Sequence, residues 1–196
     1  MIHTIFRTYF YSLITPPNKE ELIESLTNAP VDEKHSKTLE WPNSCQIKVE
    51  SLYPNLVGSV LSKTIDIFLD QLEVEKNDFA HIKLSTVWKN TYNKGYYQEI
   101  HHHHHGIVEK CEISGVVFLT DPHRGASRFY FFNKHYAEMT IPLLRIMEKK
   151  NVDCEKRFII PKAGDVLLFP SYMLHGVTMH EIDQPRTTVA FNISLQ

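Results

Sequence analysis

From residue 81 onward the chain is a succession of short β-prone runs. His81–Tyr92, Gly115–Thr120, Ser127–Phe132, Arg157–Ile160, Asp165–Phe169 and Thr187–Leu195 are rich in β-branched and aromatic residues, the types that fit a pleated, half-buried surface. Turn signals punctuate them, among them Asn93-Lys94-Gly95, Asp121-Pro122-His123-Arg124-Gly125 and Pro161-Lys162-Ala163-Gly164. Strands this short and evenly spaced, with a single helix candidate (Thr140–Lys150) between them, predict an antiparallel sandwich or jelly roll.

The first eighty residues frame that region. Residues 2–14, rich in Ile, Phe, Tyr and Thr, predict a strand stopped by Pro16-Pro17. Asn18, with Glu21 three residues on, has the spacing of a capping box and opens a short helix through about Leu26. Residues 27–54 carry Pro30, Pro42 and Pro54 and read as loop with one short strand near Gln46–Val49. Leu56, Val60, Thr64, Phe68 and Leu72 recur at helical spacing, and Leu61, Ile65 and Leu69 widen the stripe, so a helix over 55–73 is expected to buttress a sheet. No internal repeat or linker is legible, which predicts one domain over 1–196, with 1–80 supporting a core at 81–196.

Bulk properties exclude several classes. A net charge of −2, with no interleaved basic and aromatic stretch, gives no pull toward nucleic acid or an anionic membrane. Lys149, Lys150, Lys156 and Lys162 read as solvated. No run approaches the ~20 apolar residues of a membrane span. The start MIHTIFRTYFYSLITPP lacks the basic, apolar and small-residue order of a signal peptide. Cys45, Cys111 and Cys154 are too few and too scattered for a disulfide framework and read as small hydrophobes. A cytoplasmic protein is the expectation.

Histidine is the anomaly. Five of the twelve are consecutive, His101 to His105. A solvated polar loop is the bland reading, but such loops rarely choose five imidazoles, the commonest transition-metal ligand. On a strand, alternate side chains share a face, so His101 and His103 would point together and His102 and His104 away. A third ligand has to come from a distant strand. His175, just after GDVLLFPSYML, is well placed, and His180 is the competing candidate. Three protein ligands on one face leave positions open for substrate and dioxygen, as in non-haem iron oxygenases.

An anion site accompanies this cluster. Arg186 begins the last β run, with a hydroxyl two residues on, at Thr188, facing the same way. A guanidinium fork of this kind suits the far carboxylate of a dicarboxylic co-substrate; the bland reading is a surface ion pair worth little. Asn90 and Tyr92 alternate with Trp88 along a strand expected to line the pocket. They are candidate donors to the co-substrate's metal-side carboxylate, whereas Trp88 and the run Phe129–Phe132 read as core.

The stretches VWKNTYNKGYYQEIHHH, SGVVFLTDPHRGASRFYFFN, PKAGDVLLFPSYMLHGV and PRTTVAFNISL resemble the 2-oxoglutarate/Fe(II)-dependent dioxygenases. The similarity is to a small stand-alone, prolyl hydroxylase-like group known from phage and bacterial genomes. The N-terminal IFRTYFYSLITPPNKEELIESL resembles that group's opening strand and helix. The resemblance implies a double-stranded β-helix, cupin-like, with helices on one sheet. It also implies Fe(II), 2-oxoglutarate and dioxygen as cofactor and co-substrates. By the same resemblance His101 and His175 match the first and last iron ligands, Arg186 the 2-oxoglutarate binder and Thr188 its companion hydroxyl. Position 103, a carboxylate in the broad superfamily, is histidine here, so the iron charge would not be offset by the protein; Glu109 or Glu112 folding back to the metal is the alternative.

The expected function is Fe(II)- and 2-oxoglutarate-dependent hydroxylation of a C–H bond in a protein side chain or small molecule, with release of succinate and CO2. A non-catalytic cupin-type metal or small-ligand binder is one alternative. A three-histidine iron oxygenase that does not use 2-oxoglutarate is another.

Overall fold

The computed structural model describes residues 9–36, 47–73, 82–103, 111–135, 140–149 and 155–195. Among them, two antiparallel sheets face one another. In chain order the elements are β1 (Ser12–Ile14), α1 (Lys19–Thr27), α2 (Glu33–Ser36), β2 (Lys48–Ser51), α3 (Pro54–Gln71), β3 (Ile82–Tyr92) and β4 (Gln98–His101). They continue with β5 (Ile113–Phe118), β6 (Phe129–Phe132), α4 (Ile141–Lys149), β7 (Lys156–Phe158), β8 (Val166–Pro170), β9 (His175–Val177) and β10 (Arg186–Leu195). The larger sheet has the order β1-β8-β5-β10-β3-β2 and the smaller β4-β9-β6-β7. This is the expected jelly roll, mainly β with flanking helices. No described helix is long and apolar enough to cross a membrane.

The larger sheet is buried on both faces, and β10 shows why. Val189, Phe191 and Ile193 join the core formed with Leu22 and Leu26 of α1 and Leu61, Ile65 and Phe68 of α3. Ala190, between them, joins the core between the sheets, with Trp88, Val116 and Phe129. Strand alternation therefore sends every second β10 residue to the inner face: Arg186, Thr188, Ala190 and Asn192.

Strand β3 changes face once. Asn192 pairs with Thr86, but Ile193 pairs with Leu84, so Ser85 is an extra residue in the ladder. Below this bulge Ile82 and Leu84 pack on the helix side; above it Trp88 and Tyr92 pack between the sheets. A one-residue insertion exchanges the two faces of a strand. The bulge thus lets one strand serve the helix-side core and the inner pocket in turn.

Several local expectations need correction. The predicted strand over 2–14 reduces to Ser12–Ile14 among the described residues, with 1–8 outside them. Asn18 does precede α1, but its side chain makes no capping bond; the amide donates instead to the Glu21 carboxylate at 3.4 Å. The stretch read as loop holds α2, and its strand lies at Lys48–Ser51. Helix α3 buries Val57, Leu61, Thr64, Ile65, Phe68 and Leu69, while Leu56 is 53% exposed. The buried stripe is rotated by about one residue, because α3 meets α1 as well as the sheet.

Candidate active site

The histidine run begins on the last residue of β4. His101 pairs with His175, the first residue of β9, across the smaller sheet, and their rings lie 4.3 Å apart. His103 follows the strand end and is held by its backbone N–H, which donates to the Ser171 carbonyl at 2.9 Å. The side-chain nitrogens of His101, His103 and His175 converge, one atom from each lying within 4.8 Å of the others. His102 is exposed between them, as alternation requires. His104 and His105 lie outside the described residues.

The protons on two of these rings can be assigned from their partners. His101 Nδ1 is 2.7 Å from the Glu99 carbonyl and His175 Nδ1 is 2.8 Å from the Met173 carbonyl. A carbonyl only accepts, so both rings carry a proton on Nδ1, and the neutral imidazole turns its Nε2 lone pair inward. The Nε2 atoms of His101 and His103 are 3.2 Å apart. Converging lone pairs of this kind suit a borderline transition-metal cation, and the residues present therefore fit iron.

Burial, and then the neighbouring His101 and His103, push the His175 pKa well below the ordinary 6.5. The sign of the pH effect follows. As pH falls through 6.5 the unfolded chain takes up a proton that the folded chain refuses, so stability is lost from that value downward. In the metal-free protein this loss adds to any other destabilisation by acid. Thermal melts at pH 7.5 and 5.5 should show that extra loss in wild type and not in His175→Asn; parallel losses would contradict it.

The rest of the pocket lies along the inner faces of β3 and β10. Arg186 pairs with Tyr92 and Thr188 with Asn90 in the ladder. These four therefore sit together, toward one end, with Ala190 opposite Trp88 next along and the Trp88 ring tilted against that of His103, 5.3 Å between centres. Asn90 and Tyr92 thus stand at the Arg186 end of the pocket rather than beside the histidines. All of them line one cavity with the three histidines.

Arg186 is 7% exposed and lies 5.1 Å from the Tyr92 ring centre and 5.5 Å from that of Phe118. Its Nη1 has no hydrogen-bond partner among the described residues, nor does Asn90 Oδ1. Burial pushes the guanidinium pKa down, opposed by Tyr92. It pushes the Tyr92 phenol up to about 12, with Arg186 opposing, so Tyr92 is a neutral donor; its hydroxyl donates to Gln98 Oε1 at 2.8 Å. A buried cation with an unused donor calls for an anion, since an uncompensated buried charge is costly.

Other candidates fall away. His180 Nδ1 accepts the Ser127 N–H at 3.0 Å, and its Nε2 donates to the Gln184 carbonyl at 2.8 Å, so it braces a turn. Glu112 does not fold back to the histidines: its carboxylate accepts the Leu195 N–H at 2.9 Å. Glu109 lies outside the described residues. Cys111 is buried as expected, while Cys45 and Cys154 are not among the described residues. Sequence reasoning missed Gln98, buried against Tyr92, and Asn192, whose Oδ1 is 2.9 Å from His103 Nδ1. The even spacing Arg186, Thr188, Ala190, Asn192 was the available signal for the latter.

Comparisons with known proteins agree with this architecture. A Pseudomonas putida prolyl-4-hydroxylase superimposes with a TM-score of 0.62 at 12% identity, over 96% of this chain and 94% of that one. HygX from Streptomyces hygroscopicus, with nickel and 2-oxoglutarate bound, gives 0.61 at 16% over 96% and 84%. The viral collagen prolyl hydroxylase of Paramecium bursaria Chlorella virus-1, in a 2-oxoglutarate complex, gives 0.58 at 15% over 93% and 94%. At these identities the likeness is one of fold. No curated protein sequence matches the chain at a significant level. A family model described as "Putative 2OG-Fe(II) oxygenase" matches residues 86–192, more than half of the 196-residue chain, and the chain accordingly belongs to the Fe(II)- and 2-oxoglutarate-dependent oxygenases.

Proposed function

We propose that His101, His103 and His175 hold Fe(II), that Arg186 with Thr188 binds the far carboxylate of 2-oxoglutarate, and that the enzyme hydroxylates a C–H bond of a protein side chain or small molecule. On this reading residues 1–196 form one oxygenase domain. The observation that carries it is the buried Arg186 Nη1, without a partner among the described residues, in the same cavity as three converging imidazoles. A simple metal binder has no use for such a cation.

Bound there, Fe(II) would supply activation of dioxygen, the oxidant that converts 2-oxoglutarate to succinate and CO2 and hydroxylates the substrate C–H bond. The chain's own residues orient and insulate. Arg186 would hold the far carboxylate of the co-substrate by charge-assisted hydrogen bonding, its Nη1 being a donor without a partner among the described residues. Asn90, whose amide can turn to present its NH2, stands with Tyr92 at the Arg186 end as a further donor, while the neutral Tyr92 hydroxyl, its hydrogen given to Gln98, can only accept. Trp88, Val116 and Phe129 wall the space between and exclude water, which strengthens each polar contact inside.

Anaerobic addition of Fe(II) and then 2-oxoglutarate should produce a visible metal-to-ligand charge-transfer band in wild type and none in His103→Ala. Admitting oxygen should then yield succinate. Iron uptake with no such band would overturn the co-substrate reading in favour of a metal binder or a three-histidine oxygenase that takes its substrate alone. An undiminished band in His103→Ala would remove His103 from the ligand set.

A further inference from the structure

A row of polar side chains crosses the inner face of the larger sheet behind His103. Asn192 of β10 pairs with Thr86 of β3 on one side and with Ser114 of β5 on the other. The next inward row, Trp88, Ala190 and Val116, is apolar. Asn192 Oδ1 lies 2.9 Å from His103 Nδ1 and 3.0 Å from Ser114 Oγ, while its Nδ2 donates to Thr86 Oγ1 at 3.0 Å. The row continues from Ser114 Oγ to Ser171 Oγ at 2.9 Å and from there to Cys111 Sγ at 2.8 Å.

The Asn192 amide decides the arrangement. Its Nδ2 donates to Thr86 Oγ1, which turns Oδ1 toward His103 Nδ1 and the Ser114 hydroxyl. An amide oxygen only accepts, so His103 carries its proton on Nδ1 and keeps the Nε2 lone pair for a cation. Ser114 Oγ lies within donor reach of both Asn192 Oδ1 and Ser171 Oγ, and the Cys111 thiol reaches the Ile113 carbonyl at 3.5 Å as well as Ser171.

We propose that Asn192 is a positioning residue for His103: its carboxamide oxygen, turned inward by the Nδ2 bond to Thr86, keeps the His103 proton on Nδ1 so that Nε2 joins those of His101 and His175. The proposal rests on the reading of the three histidines as metal ligands. His101 and His175 take their orientation from carbonyls two residues away in sequence. His103 takes its own from a side chain on another strand, which makes the third ligand dependent on a residue 89 positions distant.

The test is titration of Co(II) alone into the full chain without 2-oxoglutarate, for wild type, Asn192→Leu, Asn192→Asp and His101→Ala. Loss of the partner that orients a metal-binding imidazole costs about 10–100-fold in affinity, so Asn192→Leu should weaken binding by that factor. Asn192→Asp still accepts from Nδ1–H and should bind as tightly as wild type or more tightly. Wild-type affinity in Asn192→Leu, or equal weakening in both variants, would overturn the proposal. If Asn192→Leu does not fold, the 15N spectrum of metal-free wild type decides, because a His103 proton found on Nε2 defeats the idea and one on Nδ1 supports it. Undiminished Co(II) binding in His101→Ala would instead defeat the three-histidine reading itself, so the two failures are distinguishable.

Discussion

Arg186→Met should raise the dissociation constant for 2-oxoglutarate by ~30-fold or more and leave metal affinity unchanged. Truncating one partner of a buried, hydrogen-bonded charge contact costs about 2–5 kcal/mol, and each 1.4 kcal/mol is tenfold. Methionine keeps an unbranched apolar stem and removes the charge and the fork. The metal end is separated from Arg186 by the Ala190–Trp88 pair, which is why Mn(II) binding without co-substrate should not respond. The effect on stability runs the other way. In the co-substrate-free protein Arg186 is a buried cation whose Nη1 has no partner among the described residues, so replacing it by an apolar chain should leave the melting temperature equal or higher. Arg186→Lys should fall between, because an ammonium keeps the charge and loses the bidentate geometry. Calorimetry with Mn(II)-loaded protein measures all three; equal 2-oxoglutarate affinity in wild type and Arg186→Met would remove the clamp from the site.

What could be read in advance followed how strongly local chemistry and fold agree. Strands β3 and β10 are long and β5 and β8 are wholly buried, and their β-branched and aromatic residues both favour the strand and fill a core. The strands that carry the histidines are the opposite case. β4 is Gln-Glu-Ile-His and β9 is His-Gly-Val, so their side chains are poor strand signals, and pairing with each other and with β6 overrides them. Alternation put His101 and His103 on one face, and the resemblance selected His101 and His175, so the three were legible together. Asn192, Ser114 and Ser171 were not, because their meeting depends on strand register and on the β3 bulge. The failed capping box at Asn18 and the rotated face of α3 have the same origin: tertiary packing outranked a correct local pattern.

The histidines divide by parity, and the division gives the largest expected effect. His101→Ala and His175→Ala should each abolish stoichiometric metal binding and reduce 2-oxoglutarate turnover to background, whereas His102→Ala, between two of the ligands in sequence, should leave both intact. Losing a ligand must exceed the 10–100-fold cost of losing the group that orients one. Baseline stability is the wrong readout, because His175 is 3% exposed, stacks on Phe129 and meets Phe169 edge-on; its removal leaves a cavity that lowers the melting temperature for reasons of packing. The metal-induced shift is the right one. A ligand at a hundred times its dissociation constant stabilises by about 2.7 kcal/mol, which for a chain of this length is roughly 5–10 °C. That shift should appear in wild type and His102→Ala and vanish in His101→Ala and His175→Ala, whatever their metal-free melting temperatures. Retention of the shift in His175→Ala would mean that the metal sits elsewhere, and its loss in His102→Ala would mean that the run binds as a flexible cluster rather than through one face of a strand end.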